Sequence, residues 1–199
     1  MSIFDLTGRV AVITGGNGGI GLGIAQALAG QGCNVSIWGR NADKNKAAAA
    51  SMAGLPGKVD ARVCDVTDPA SVNAAMKATL DTFGRLVATS SLASIFGTAR
   101  NEHYAATKAA INALVRALGV ELARHGVTAN AILPGWIKSD MTAGIMANEK
   151  FVANVMPRIP VRRFGEASDF GGIAVYRMSK ASSYHTADAF VIDGGYTAF

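Results

Sequence analysis

Charge is scarce in this chain. Only 17% of its 199 residues are Asp, Glu, Lys or Arg, while 50% are hydrophobic. That balance excludes a disordered chain and predicts a globular one long enough to bury a sizeable core. Long apolar runs are also missing: Gly, Asn or charge interrupts each one well short of the ~18 residues that a membrane span needs. The opening MSIFDLTGR has no basic segment followed by an apolar core. No signal peptide is therefore expected, and a cytoplasmic location is. Cysteine is limited to Cys33 and Cys64, each in a strand-like stretch. Two thiols without close His partners make no metal site, and in a reducing compartment both read as buried core thiols, not as a disulfide. The net charge of +5 suits anionic ligands. Its Lys and Arg residues are spread thinly, with no basic run and no interleaved aromatics, which argues against nucleic acid as a partner.

What is present is an alternation of strand-like and helix-like segments. Arg9 to Thr14 (RVAVIT) is a short β-branched run, and so a buried strand. Gly15 to Gly21 (GGNGGIG) follows, and an apolar helical pattern through Leu22, Ile24, Ala25 and Leu28 closes at Gly30 and Gly32. Asn34 to Trp38 reads as a second strand, 42–53 as an alanine-rich helix, and Lys58 to Cys64 as a third strand ending at Asp65. Asp68-Pro69 starts another helix by its cap and first-turn chemistry, running to about Phe83. Such alternation predicts right-handed βαβ units: an α/β fold with a Rossmann-like, doubly wound parallel sheet in three layers, in a single domain spanning 1–199.

The glycine stretch sits directly after a strand and opens a helix. Glycines let the backbone turn tightly and approach a pyrophosphate, while the helix N-terminus offers N–H donors and positive dipole. A strand–helix corner without a ligand is the plainer alternative. A carboxylate for the ribose 2′-OH of NAD is lacking at the end of the second strand, where Trp38-Gly39-Arg40-Asn41 stands and Asp43 comes too late. Arg40 can pair with a 2′-phosphate, so NADP(H) is favoured over NAD(H); a solvated loop arginine is the alternative.

Ser90 to Lys108 (SSLASIFGTARNEHYAATK) carries the second signal. If 102–125 is a helix, Tyr104 and Lys108 share a face about one turn apart. A phenol titrates near about 10, and a neighbouring positive charge favours the phenolate, which makes a proton donor and acceptor for neutral pH. Ser91 stands thirteen residues before Tyr104, where it can place a second hydroxyl on the same substrate oxygen. A lone Tyr-x-x-x-Lys pair is usually solvated helix surface; its context is what lifts this one.

Thr14-Gly15-x-x-x-Gly19-x-Gly21, Asp65 after the third strand, Ser91, Tyr104-x-x-x-Lys108 and Pro134-Gly135 occur together in order. With them the chain resembles the short-chain dehydrogenase/reductase family from end to end. The resemblance implies an NAD(P)-dependent oxidoreductase acting on an alcohol or ketone, with Tyr104 as general acid/base. It implies that Ser91 orients the substrate carbonyl and that Lys108 binds the nicotinamide ribose and lowers the Tyr104 pKa. Gly15, Asn17, Gly18 and Ile20 would line the pyrophosphate and adenosine ribose, and Asp65 and Val66 the adenine. After a strand near Val127 to Leu133, PGWIKSDMT resembles the nicotinamide loop. There Pro134 and Ile137 would meet the carboxamide region, and Ser139 replaces the usual threonine. Residues 138–164 resemble a substrate flap, in which Met141, Ile145, Met146, Phe151, Val152 and Met156 suggest either an apolar pocket wall or ordinary packing. A final helix near 166–180 and the strand Ala189 to Ile192 complete the match, and a homodimer or homotetramer is expected. Arg177 falls at an apolar position of that helix.

One expected segment is lacking. The family has an Asn-Asn-Ala-Gly stretch after its fourth strand, then a long helix with an active-site asparagine, then the strand leading to the serine. Here Phe83-Gly84-Arg85-Leu86 runs straight into Val87-Ala88-Thr89-Ser90-Ser91, with the break at 86/87. A βαβ unit needs about 30 residues or more. Three explanations stand: a true deletion, a protein that carries further residues at this junction, or a looser match. Removing a central strand exposes sheet edges, and near-attack geometry tolerates little error. A nucleotide-binding protein without turnover is thus the rival to the enzyme, and an oligomer partner with an unused nucleotide site is a third possibility.

Overall fold

The β-branched runs and glycine breaks of the sequence become strands and turns in the computed structural model, which describes residues 2–77, 85–97 and 99–198. The strands are β1 (Val10–Thr14), β2 (Asn34–Gly39), β3 (Val59–Val63), β4 (Arg85–Thr89), β5 (Thr128–Pro134) and β6 (Ala189–Ile192). The α-helices are α1 (Gly19–Gly30), α2 (Ala42–Ser51), α3 (Pro69–Lys77), α4 (Glu102–Glu121), α5 (Ala143–Met146), α6 (Glu149–Val155) and α7 (Gly171–Met178). Among the described residues every strand pair is parallel, as crossover helices between successive strands require. This is the Rossmann-like parallel α/β class expected from the alternation.

Among the described residues the strands form two three-stranded sheets, in the orders β1-β2-β3 and β4-β5-β6. The chain accordingly divides into two compact units. The first holds the described residues of Met1–Phe83 with Glu166–Ser182, and the second those of Gly84–Gly165 with Ser183–Phe199. In the first, Val10 pairs with Asn34 and Val35 with Val59. Its core gathers Leu6, Leu28, Val35, Ile37 and Met52, with Ala174 of α7. Burial pushes the Cys33 thiol up to about 11, against a smaller opposing effect of Arg9. Cys33 and Cys64 are both free and buried, as their strand context implied. Arg177 interrupts the apolar face of α7 and is nonetheless 1% exposed, with its guanidinium carbon 5.7 Å from the Tyr176 ring centroid.

In the second unit, Arg85 pairs with Thr128 and Ala131 with Ala189. β5 is the central strand and is buried from Ala129 through Pro134, as a strand covered on both faces must be. Leu92, Leu133, Ile159, Phe164 and Tyr196 are the larger members of its core.

Element ends shift from the sequence expectation in explicable ways. The helix expected over 102–125 stops at Glu121; Ala123–His125 tightens to a 3-10 turn, and Gly126 at φ +71° turns the chain away. The helix expected over 166–180 begins as a 3-10 turn, Ala167–Phe170, in which Asp169 caps the Glu166 N–H. The helix expected over 68–83 runs from Pro69 to Lys77, and its remainder lies outside the described residues. Among the described residues no helix is long and apolar enough to cross a membrane.

Candidate active site

In the first unit, the loop between β1 and α1 is built around glycine. Gly15 adopts φ +67°, and a Cβ on Gly21 would collide with the Gly15 carbonyl oxygen. The loop therefore folds back on the helix start more closely than any side chain allows. On its open side, a Cβ on Gly15 or Gly18 would meet nothing within 4 Å. Gly18 caps α1 with no side chain, and the first turn carries no acidic residue. The leading N–H groups of a 12-residue helix thus have no side-chain acceptor. This cradle fits the phosphates of a dinucleotide.

Asn17 was expected to line the same phosphates. Its side-chain amide donates to Asn45 Oδ1 at 2.7 Å, toward α2. Arg40 is exposed just past β2. Asp65 follows β3, where the N–H and hydroxyl of Thr67 hold its carboxyl below the usual value and the charge of Arg40 adds to the effect. Val66 is 56% exposed beside it, an uncovered apolar side chain at the expected adenine position. Ile20 is half-buried in the first turn of α1.

In the second unit, β4 ends at Thr89 and leads into Ser90 and Ser91. Ser91 is extended, with its Oγ accepting the Ala93 N–H at 3.2 Å and so starting the 3-10 turn Leu92–Ser94. That contact uses the oxygen and leaves the hydroxyl hydrogen for another acceptor. Tyr104 lies in the first turn of α4 and Lys108 one turn later, with Nζ 5.6 Å from the Tyr104 ring centroid. Lys108 Nζ also donates to the Thr89 carbonyl at 3.1 Å. Burial lowers the Lys108 pKa from its usual 10.5, because desolvation disfavours the ammonium.

Three residues that the sequence did not single out hold this group together. Ser90 is buried, and its hydroxyl donates to the Lys108 carbonyl at 2.9 Å. Asn112, one turn beyond Lys108, donates to Ser94 Oγ at 2.8 Å, and Ser94 Oγ donates to the Ser91 carbonyl. The turn bearing Ser91 is stitched to α4 at two levels. The only sequence signal was an Asn at an otherwise apolar helical position.

β5 ends at Pro134, and Gly135 follows so close to β6 that a Cβ would lie 2.7 Å from Asp193 Cα. Ile137 is buried and bridges to Gly165. Its carbonyl accepts the Thr142 hydroxyl at 2.6 Å, and the Ser139 N–H and hydroxyl both lie within 3.1 Å of Thr142 Oγ1. Thr142 thus organises the expected nicotinamide loop from its C-terminal end. The apolar flap residues divide. Met146, Phe151, Val152 and Met156 pack on the core, with Phe151 edge-on to Trp136 at 4.9 Å, while Met141 is 84% and Ile145 43% exposed.

Residues 9–87 match the family described as short chain dehydrogenase, and residues 81–197 the one described as Enoyl-(Acyl carrier protein) reductase. The two matches change over across 81–87, the stretch that holds the 86/87 junction. The 3-oxoacyl-(acyl-carrier-protein) reductase of Chlamydia pneumoniae is 28% identical over 245 residues, covering 96% of this chain and 98% of that protein. The gluconate 5-dehydrogenase of Gluconobacter oxydans (strain 621H) is 29% identical over 248 residues, covering 98% and 97%. Among solved structures, a protein from Beutenbergia cavernae is 30% identical with a TM-score of 0.88, covering 100% of both chains. It is provisionally assigned as an NAD(P)-dependent gluconate 5-dehydrogenase and holds NADP at low occupancy. Alignments of 245 and 248 residues against a chain of 199 mean that these relatives carry sequence that this chain does not.

Proposed function

This chain belongs to the short-chain dehydrogenase/reductase family of NAD(P)-dependent oxidoreductases, and we propose that its reaction is reversible interconversion of an alcohol and a ketone with Tyr104 as the general acid/base. When bound, the nicotinamide cofactor supplies or accepts the hydride. Tyr104 gives its proton to the developing alkoxide in reduction and takes it back in oxidation. Ser91 donates its uncommitted hydroxyl hydrogen to the same oxygen. Lys108 supports the phenolate by its charge, and the Thr89 carbonyl that accepts from Nζ favours the ammonium form. The placement of Lys108 Nζ 5.6 Å from the Tyr104 ring centroid is the observation that carries this reading.

The glycine cradle and the leading N–H groups of α1 hold the cofactor phosphates in this reading, and Arg40 pairs with a 2′-phosphate, so that NADP(H) is preferred. The substrate is a small alcohol or ketone received under the 138–164 flap, and the assembly is a homodimer or homotetramer. Binding without turnover is the second reading, favoured by the sequence lacking at 86/87. Fluorescence titration with NADPH, followed by a panel of ketones and keto acids, separates the two. NADPH binding with reduction of at least one carbonyl supports the enzyme; binding with none reduced supports the second reading.

A further inference from the structure

Asn45 is a polar side chain buried in the alanine-rich helix α2, 3% exposed. Its amide nitrogen donates to the Gly39 carbonyl and to the Arg62 carbonyl, each at 2.8 Å. Its Oδ1 accepts from Asn17 Nδ2 at 2.7 Å. One side chain therefore ties together the glycine loop, the end of β2 and the end of β3. Its own backbone N–H also donates to the Asn41 carbonyl at 3.0 Å. The turn Gly39-Arg40-Asn41 is thus held at both ends by Asn45, with Arg40 projecting between the two anchor points. Gly39 conforms to the same arrangement: a Cβ there would lie 2.6 Å from Asn45 Oδ1 and collide with Asn17 Nδ2. The charge of Arg40 reaches the Asp65 carboxylate just past β3. A buried amide is costly unless satisfied, and an aliphatic side chain would pack at this position without that cost.

We propose that Asn45 is the positioning residue of the nucleotide site: through Asn17 it holds the phosphate loop, and through the Gly39 carbonyl it aims Arg40 at a 2′-phosphate. It thereby sets both the affinity for the dinucleotide and the preference for NADP(H). This rests on the reading of the glycine loop and Arg40 as the nucleotide site.

The test measures dissociation constants for NADPH and NADH on wild type, Asn45→Leu, Asn17→Ala and Arg40→Ala, at a temperature where circular dichroism shows each folded. Asn45→Leu is expected to weaken NADPH about tenfold or more, and NADH by a smaller factor, so that the preference shrinks. Asn17→Ala is expected to weaken both cofactors by one common factor, since the pyrophosphate is common to them. In an Arg40→Ala background, Asn45→Leu should lose its extra effect on NADPH. A purely structural Asn45 would lower the melting temperature and leave the ratio of the two constants unchanged; that result overturns the inference. Should Asn45→Leu fail to fold, Asn45→Ala in this alanine-rich helix serves instead. Wild type that binds neither cofactor removes the nucleotide-site reading itself, an outcome distinct from an unchanged ratio in the variants.

Discussion

The hydroxyl of Ser90 donates to the main-chain carbonyl of Lys108 at 2.9 Å, so the strand end that presents Ser91 is fastened to the helix that presents Tyr104. In the proposed mechanism, Ser91 of the serine pair serves chemistry and Ser90 alignment. Ser90→Ala is expected to cost about 1 kcal/mol of stability. It should also lower kcat about tenfold, with a smaller change in KM, because small displacements of a hydroxyl from its reacting partner are expensive. Denaturant midpoints and steady-state kinetics on one preparation check both.

Gly21→Ala should abolish cofactor binding while the rest of the first unit stays folded. The added methyl would collide with the Gly15 carbonyl oxygen and force the loop open. The expected loss of NADPH affinity is a hundredfold or more, on the order of 3 kcal/mol. Gly18→Ala, where a Cβ meets no atom within 4 Å, is the control and should bind measurably better than Gly21→Ala.

Lys108 gives the folded state a pH signature. Burial sets its folded pKa below the usual 10.5. Between those two values the unfolded chain holds the proton and the folded chain does not, so stability rises with pH across that window. Below the window both states are protonated and the cost of burying the ammonium is fully present. Lys108→Met should remove this rise, as read from urea midpoints at several alkaline pH values.

Asp193 also makes stability rise with pH, but in acid and by favouring its charged form. Burial raises its pKa, but the hydroxyl and N–H of Thr197 with the N–H of Gly195 outweigh that and hold the carboxyl below 3.8. Its stabilising effect is present above 3.8 and is lost as pH falls through the depressed value. Thr197→Val removes the 2.7 Å hydroxyl bond. Acid unfolding should then begin at higher pH, with a loss of about 1 kcal/mol or less after solvent screening.

What was legible in the sequence was local. The glycine loop, the Tyr104–Lys108 spacing and the strand–helix alternation each arise from residues a few positions apart, where one period or one turn decides the geometry. What escaped was contact across long separations. Asn17 and Asn45 are 28 residues apart, and Ser90 and Lys108 are 18 apart; nothing along the chain marks either pair. Asn17 was placed along the pyrophosphate and adenosine ribose by its position in the loop, and that position does not show that its side chain bonds to the buried amide of Asn45. Arg177 looked misplaced in an apolar pattern and proved to be a fully buried side chain. The division into two three-stranded sheets was not legible either, although the residues lacking at 86/87 were legible as an absence.

Tyr104→Phe tests the central claim most directly, by the rate of NADPH oxidation with a carbonyl substrate that wild type reduces. Removing the phenol oxygen removes the proposed acid and leaves the ring beside Lys108 intact. The variant is expected to bind NADPH as wild type does and to lose turnover by about 10²–10⁴-fold. A variant that reduces the same substrate at the wild-type rate would contradict the assignment of Tyr104.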